Sequence, residues 1–292
     1  MDVSVIIVNY NTLRLTEQTI NSVLKKTKQL NIEIILVDNN SSDGSFEYFK
    51  KNYFNKIILI KNEENIGFGR ANNKGIELAK GKYIFLLNSD TILINNAIKI
   101  LFDYMENNSN IGITGGNLYD LNIKPTISYE LSLPKNIIKN RYKRNSTFNK
   151  TKFPLEVGYI SGADMMIQKK ILNEIGWFDP DFFMYYEETE LTARVVKKGY
   201  KVYNVPQAKI IHLEGKSTIF KEKKYHMVSE SKYKYFYKTK DLNTCKYIYY
   251  ITQLCYFIKL SITFNSDYLK KIKINKEEYC KFLLNYHTLR RN

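Results

Sequence analysis

Four short apolar runs mark the first part of the chain, at residues 3–8, 32–37, 57–60 and 83–87. Each is nearly continuous in bulky apolar side chains, the pattern of a strand buried on both faces. Between them, residues 13–24, 45–51 and 67–79 space apolar positions three and four apart, as helices do. Strands and helices alternating at this interval predict a mostly parallel central sheet flanked by helices, an α/β fold. The runs end in polar clusters: Asn9-Tyr10-Asn11, Asp38-Asn39-Asn40 and Asn88-Ser89-Asp90. Open α/β sheets bind ligands beyond the carboxyl ends of their strands, so the clusters predict one shared site.

The pattern loosens further on. Residues 95–107 read as a helix and 111–160 as irregular with short strands. Within the latter, a Lys/Arg/Asn-rich stretch at 135–152 is expected to be a mobile loop. An apolar segment at 158–167, helices from 169 and at 187–198, and two strands near 201–205 and 209–211 follow. After Ser217 the composition shifts: residues 221–292 contain no Gly or Pro, are rich in Lys and Tyr, and read as two or three helices. The most apolar part, 247–264, is interrupted by Gln253 and Lys259 and is marginal for a membrane span. Interleaved Tyr and Lys suit a helix lying at a membrane interface, or a helical subdomain packed on the rest.

With 44% hydrophobic and 25% charged residues, the 292-residue chain reads as globular and not disordered. Its net charge of +16 favours contact with phosphates, in a diphosphate substrate, anionic lipid or nucleic acid; a merely solvated lysine-rich surface explains it equally. Cys245, Cys255 and Cys280 form neither a disulfide framework nor a zinc pattern, which fits a reducing cytoplasm. The first residues lack a basic segment and a cleavage site, so they read as a strand and not as a signal peptide.

Five constellations carry candidate chemistry. In residues 38–44, the Asp38 carboxylate at a strand end can accept the imide N–H of uracil or thymine, with Asn40 and its Ser neighbours near ribose; an Asx-rich helix cap is the plainer alternative. Residues 65–75, including Asn65, Gly67, Phe68 and Asn73, let backbone approach phosphates at a helix start. Asn72 replaces the third glycine of a dinucleotide fingerprint, and Gly81-Lys82 lies one residue too far from Gly75 for a P-loop. Asp90, following Asn88 and Ser89, can hold Mg²⁺ or Mn²⁺ against a diphosphate, or cap a helix. Glu187 and Glu188 open a helix behind an aromatic run, as a base and a sugar-hydroxyl acceptor or as residues favoured by the helix dipole. His212 follows a strand and can join a carboxylate on a metal, or serve the fold alone.

Taken in order, these segments resemble the family-2 glycosyltransferases, with the A-type glycosyltransferase fold, over roughly residues 3–217. The closest subgroup is rhamnosyltransferase-like and galactofuranosyltransferase-like, the builders of O-antigen, capsule and other cell-envelope polysaccharides. The resemblance implies a catalytic domain at 1–220 and a basic helical extension at 221–292. It implies donor contacts from Val8, Asn9, Asn11, Asp38, Asn40, Asn65, Gly67, Phe68, Asn73, Asn88 and Ser89. Asn88-Ser89-Asp90 stands where the family carries D-x-D, with Asn for the first Asp, so Asp90 and His212 would hold a divalent metal, Mn²⁺ or Mg²⁺. The residues 212–217 resemble the family's metal-binding His segment, with Gly215 and Ser217. Gly162 and Ala163, in the segment 161–164, together with Trp177 and Glu187, would face the acceptor. Glu188 stands at the catalytic-base position of an E-D-x-D-L motif, with one more methylene than Asp.

The implied reaction is inverting transfer from a nucleotide diphosphate sugar, dTDP-rhamnose first and UDP-hexose second, to a glycan or lipid-linked glycan. The implied location is the cytoplasm, peripheral to the plasma membrane, with anionic membrane contact and no nucleic acid partner. A sugar-nucleotidyltransferase would need a Gly-rich basic loop after the first strand, where Asn9-Tyr10-Asn11-Thr12 stands. A non-catalytic basic protein would not need Asp38, Asp90, Glu188 and His212 to meet in one cleft.

Overall fold

The computed structural model describes residues 1–134, 151–213 and 221–289; the stretch at 135–150, Gly215 and Ser217 lie outside them. The first strands are β1 Val3–Asn9, β2 Ile32–Asp38, β3 Ile58–Lys61, β4 Tyr83–Asn88 and β5 Thr91–Leu93. The helices among and after them are α1 Leu13–Lys26, α2 Ser45–Asn52, α3 Phe68–Leu78 and α4 Ala97–Glu106. Then come β6 Ile111–Tyr119, β7 Tyr129–Glu130, β8 Leu155–Glu156, β9 Tyr159–Ile160 and β10 Asp164–Gln168. Helices α5 Lys169–Ile175 and α6 Glu187–Lys197 precede β11 Lys201–His212. Three helices, α7 Lys221–Thr239, α8 Leu242–Thr263 and α9 Asp267–Asn285, end the described chain, with a last 3₁₀ turn at Tyr286–Thr288.

The main sheet runs β3-β2-β1-β4-β10-β6-β11-β5, with β8 also on β11. Its first four strands are parallel, as is β6 with β11; β10 enters antiparallel between β4 and β6. Both faces are buried, and alternate residues serve different cores. Val3, Val5, Ile7, Leu36, Phe85 and Leu87 pack on one side. Ile6, Ile35, Val37, Ile84 and Leu86 pack on the other. The strand's two-residue period divides an unbroken apolar run between two helix layers.

Two expectations need correction. The region read as irregular from 111 contains β6, nine residues long and buried except at its end. Its glycines at 112, 115 and 116 depress the strand signal. Gly116 is there because a Cβ would stand 2.5 Å from the Ala208 carbonyl oxygen of the neighbouring strand. The two strands expected at 201–205 and 209–211 are one strand, β11, whose pairing with β6 slips between Asn204 and Lys209. Pro206 lies in the slip, where a missing N–H is tolerated.

The β10 insertion buries a carboxyl group. Asp164 has no exposed surface, accepts 2.6 Å from the Gly116 N–H through Oδ2, and has no partner at Oδ1. Burial holds it well above its ordinary 3.8, against the lowering effect of the Gly116 bond. Because the folded chain binds this proton more tightly than the unfolded one, its stabilising effect is complete below 3.8 and fades as pH rises through the folded value. Asp164→Asn, neutral at every pH, should flatten that loss in thermal unfolding followed from acid to neutral pH. Parallel profiles for the two proteins would refute it.

Candidate active site

The ends of β1, β2 and β4 lie level: Asn9 pairs with Asp38, and Val8 with Asn88. Asn9 is fully buried and hydrogen-bonds the strand-end loops together. Its Nδ2 donates to Asp38 Oδ2 at 2.7 Å and Ser41 Oγ at 2.9 Å; its Oδ1 accepts from Thr12 at 2.9 Å and Thr16 at 2.7 Å. That fills the hydrogen-bonding capacity of an amide side chain, so Asn9 ties the strand-end loops together from beneath. Asp38 is buried too, with Oδ1 accepting from the Ser41 N–H at 2.9 Å. Val8 packs against the second core.

Asn11 and Asn40 are exposed at the rim, both in the left-handed region at φ 53° and 66°. Asn is the non-glycine residue that accepts this conformation most readily. Asn11 Oδ1 accepts from the Ser42 N–H at 2.7 Å, joining the first two loops. Beside them Asn39 Nδ2 donates to Asn65 Oδ1 at 2.8 Å, and Asn65 Oδ1 also accepts from the Gly67 N–H. Gly67, at φ 85°, starts α3; a Cβ there would lie 2.2 Å from the Phe183 carbonyl oxygen, which accepts the Phe68 N–H at 2.9 Å. Asn73 faces away from this rim: its amide pairs with the Phe178 backbone in both directions, at 2.8 and 3.0 Å.

At the end of β4 the chain turns into β5, which pairs antiparallel with the end of β11, Thr91 opposite His212. The turn sets Asp90 Oδ1 3.3 Å from His212 Nε2, with Asn88 Nδ2 at 3.5 Å from the same nitrogen. The Asp90 carbonyl oxygen accepts the Leu213 N–H at 2.9 Å. Ser89 is held by Thr12 at its hydroxyl and by Thr19 at its carbonyl oxygen. These threonines support the turn and carry no motif that sequence reading would single out. A carboxylate oxygen and an imidazole nitrogen 3.3 Å apart suit adjacent positions around a cation with bonds of about 2.0–2.2 Å. Among the described residues no group of three or more His, Cys, Asp or Glu is placed to hold a metal. The pair alone can supply two ligands to a divalent cation and leaves its other positions to groups outside these residues.

The third wall is the strap at residues 175–186, which leads into α6. Arg194 grips its start with all five N–H groups. Two reach Glu190, and the others reach the carbonyl oxygens of Ile175, Gly176 and Trp177 at 2.6–2.8 Å. Asn73 holds Phe178, and Arg70 donates to the Pro180 carbonyl oxygen at 2.7 Å. From the other side, α7 contributes Ser231 to the Met184 carbonyl oxygen and Lys238 to Asp179 and Asp181. Tyr185 and Tyr186 then both take left-handed backbone, at φ 70° and 66°. Bulky residues pay strain there, which persists only where surrounding contacts enforce it.

The strained turn delivers Glu187 and Glu188. Glu187 is 4% exposed, its Oε2 has no hydrogen-bond partner, and its Cβ lies against Gly69 of α3. Glu188 is half-buried beside Gly162, where an added Cβ would stand 3.6 Å from its Cγ. The next residue, buried Ala163, accepts the Asn88 N–H at 3.0 Å, which joins the Glu188 side to the Asp90 corner. Burial raises both carboxyls, and the neighbouring Glu188 charge raises Glu187 further. The upward push is the larger at Glu187, which has burial and the neighbouring charge acting together. Trp177 packs partly against the second core and stays half-exposed at the start of the strap.

Glu190 has no exposed side-chain surface. Arg194→Met should therefore cost about 3–5 kcal/mol by removing the cation beside it, read as a fall in the urea midpoint. Adding Glu190→Met should recover part of the loss; no recovery would mean the strap contacts alone account for it.

The description "Glycosyl transferase family 2" fits residues 4–176 of the chain. An uncharacterized glycosyltransferase of Methanocaldococcus jannaschii is 28% identical over 94% of this chain and 95% of its own. The dTDP-rhamnosyl transferase RfbF of Shigella flexneri is 29% identical over 73% of this chain and 70% of its own. Among solved structures, Staphylococcus aureus TarS 1–349 superposes with a TM-score of 0.55 at 17% identity, covering 82% of this chain and 66% of that one. GalNAc-T7 with UDP, GalNAc and Mn²⁺ superposes with a TM-score of 0.63 at 20% identity, covering all of this chain and 59% of that one. The structural likenesses show the fold, and the family match covers more than half the sequence: the chain belongs to glycosyl transferase family 2.

Proposed function

We propose that the protein transfers a sugar with inversion from a nucleotide diphosphate sugar to a glycan or lipid-linked glycan, in cell-envelope polysaccharide synthesis at the inner face of the plasma membrane. The observation that supports the reading is a chain of neighbours: the level ends of β1, β2 and β4, Asp90 beside His212, and the Asn88 N–H bound to Ala163, whose neighbour Gly162 lies against Glu188. A basic binding protein has no need of that arrangement. The catalytic unit spans 1–220, and 221–292 buttresses it.

Loops around Asn11, Asp38, Asn40, Asn65, Gly67 and Phe68 bind the nucleotide, with Asn88 and Ser89 nearer the diphosphate. The start of α3 shapes the nucleotide side: the Gly67 and Phe68 N–H groups are taken by Asn65 and Phe183, and Gly69 lets α3 lie close against Phe178 and Glu187. Asp90 and His212 hold Mn²⁺ or Mg²⁺. When bound, the ion offsets the charge that develops on the leaving diphosphate. Glu188 accepts the proton of the attacking acceptor hydroxyl, and its half-buried position and raised pKa bring it nearer working pH. Glu187, its carboxyl pushed up by burial and by Glu188 and its Oε2 without a protein partner, faces an acceptor oxygen. Gly162 and Ala163 leave room for the acceptor beside Glu188. A dTDP-rhamnose donor comes first, supported by the named activity of the Shigella relative; a UDP-hexose comes second, supported by the UDP in the GalNAc-T7 structure.

A thermal-shift panel of nucleotide sugars with Mn²⁺, Mg²⁺ or EDTA tests this. One nucleotide diphosphate sugar should stabilise the protein with metal, and Asp90→Ala should abolish that shift. No response to any nucleotide would return the basic binding-protein reading. Because the base must be ionised, turnover should rise with pH through a midpoint above the ordinary 4.5 of a glutamate. An acid limb at or below that value would exclude Glu188 as the base.

A further inference from the structure

We propose that the outward face of α8 docks on an anionic phospholipid bilayer and anchors the enzyme there. This deepens the membrane part of the proposed function and rests on it, but not on the transfer chemistry. One side of α8 packs into the molecule through Cys245, Ile248, Thr252 and Gln253. The other is a stripe at spacings of three and four: Tyr247, Tyr250, Leu254, Phe257 and Ile258 are 47–59% exposed. Ile262 and Phe264 extend it, at 72% and 87% exposed. These are large apolar groups held in water on one face of a helix whose opposite face is packed.

Charge selects the occupant. α8 contains no Asp or Glu, and Lys246 lies exposed within the stripe. α9 follows with exposed Lys270, Lys273 and Lys276. Residues 221–292 hold 16 of the chain's 45 Lys and Arg, but only 6 of its 29 Asp and Glu. A second copy of so basic a surface would be repelled, whereas a negatively charged bilayer attracts it, at about 1 kcal/mol per lysine near the surface. No helix among the described residues is long and apolar enough to cross a membrane, so α8 would lie in the interface plane. Tyr247 and Tyr250 at one end of the stripe suit the headgroup level, where amphipathic rings are favoured. The neighbouring helix α7 holds the strap through Ser231 and Lys238, so the docked helices and the strap form one connected unit.

The test is co-sedimentation of the full chain with phosphatidylglycerol vesicles and with phosphatidylcholine vesicles, for the wild type and for Leu254→Glu combined with Phe257→Glu. Both substituted positions are exposed, so folding should survive, which an unchanged unfolding temperature checks. The wild type should bind phosphatidylglycerol and bind phosphatidylcholine much less. The variant should lose binding by about tenfold or more. Lys246→Glu should weaken the preference for phosphatidylglycerol without removing the apolar contribution. Absent vesicle binding, or binding unchanged in the double variant, overturns the proposal. Concentration-dependent self-association of the wild type that disappears in the double variant overturns it in favour of a second copy. The nucleotide-sugar thermal shift, measured on the same variants, should be unaffected; its loss from the wild type would count against the transferase reading alone.

Discussion

Arg194 binds Glu190 and three consecutive carbonyl oxygens of the strap, and the placement of the acidic pair depends on that grip. A lone buried guanidinium or carboxylate is costly, and the pair is tolerable here because every donor has an acceptor in good geometry. The strap starts where Arg194 holds it and ends in two left-handed tyrosines. Backbone strain of that kind has to be enforced from outside, and Asn73, Arg70 and helix α7 enforce it. A rigid strap matters because a carboxylate displaced by about 1 Å loses much of its value in proton transfer.

The C-terminal helices belong to this clamp. Lys238 of α7 is buried to 1% and pairs with both Asp179 and Asp181. Phe182 shares a core with Tyr233, Tyr235 and Phe236 of α7, Cys245 and Ile248 of α8, and Tyr279 and Phe282 of α9. Tyr186 packs on Tyr235 with ring centroids 5.4 Å apart. A segment whose composition suggested an appendage thus helps to hold the turn that presents Glu188. Its outward α8 face stays exposed.

The first ninety residues were legible because each strand is an uninterrupted apolar run and each is closed by a polar cluster; local periodicity carries that information. The polar clusters expected at the ends of those strands lie level in the sheet. Less legible was everything decided by neighbours distant in sequence. Of the glycines that make β6 look weak, Gly116 is required by the close passage of Ala208, about ninety residues away, and Gly115 by Ile160 and Asp164. β5 is only three residues long and gains its meaning from His212 opposite Thr91. Asn9 and Asn73 have residue types suited to ligand contact, yet their amides are used within the protein. The Glu190–Arg194 pair sits four apart on a helix and had a readable signal; the Lys238 partners, in a different part of the chain, had none.

The most direct test is release of nucleoside diphosphate by the purified protein from dTDP-rhamnose and from UDP-hexoses, with Mn²⁺ and an acceptor glycan, compared with Glu188→Gln. The account predicts release from one donor by the wild type, and a fall of about 10²–10⁴-fold in Glu188→Gln with donor binding retained. Release undiminished in Glu188→Gln would contradict the assignment of the base, and release from none of these donors by the wild type would contradict the account as a whole.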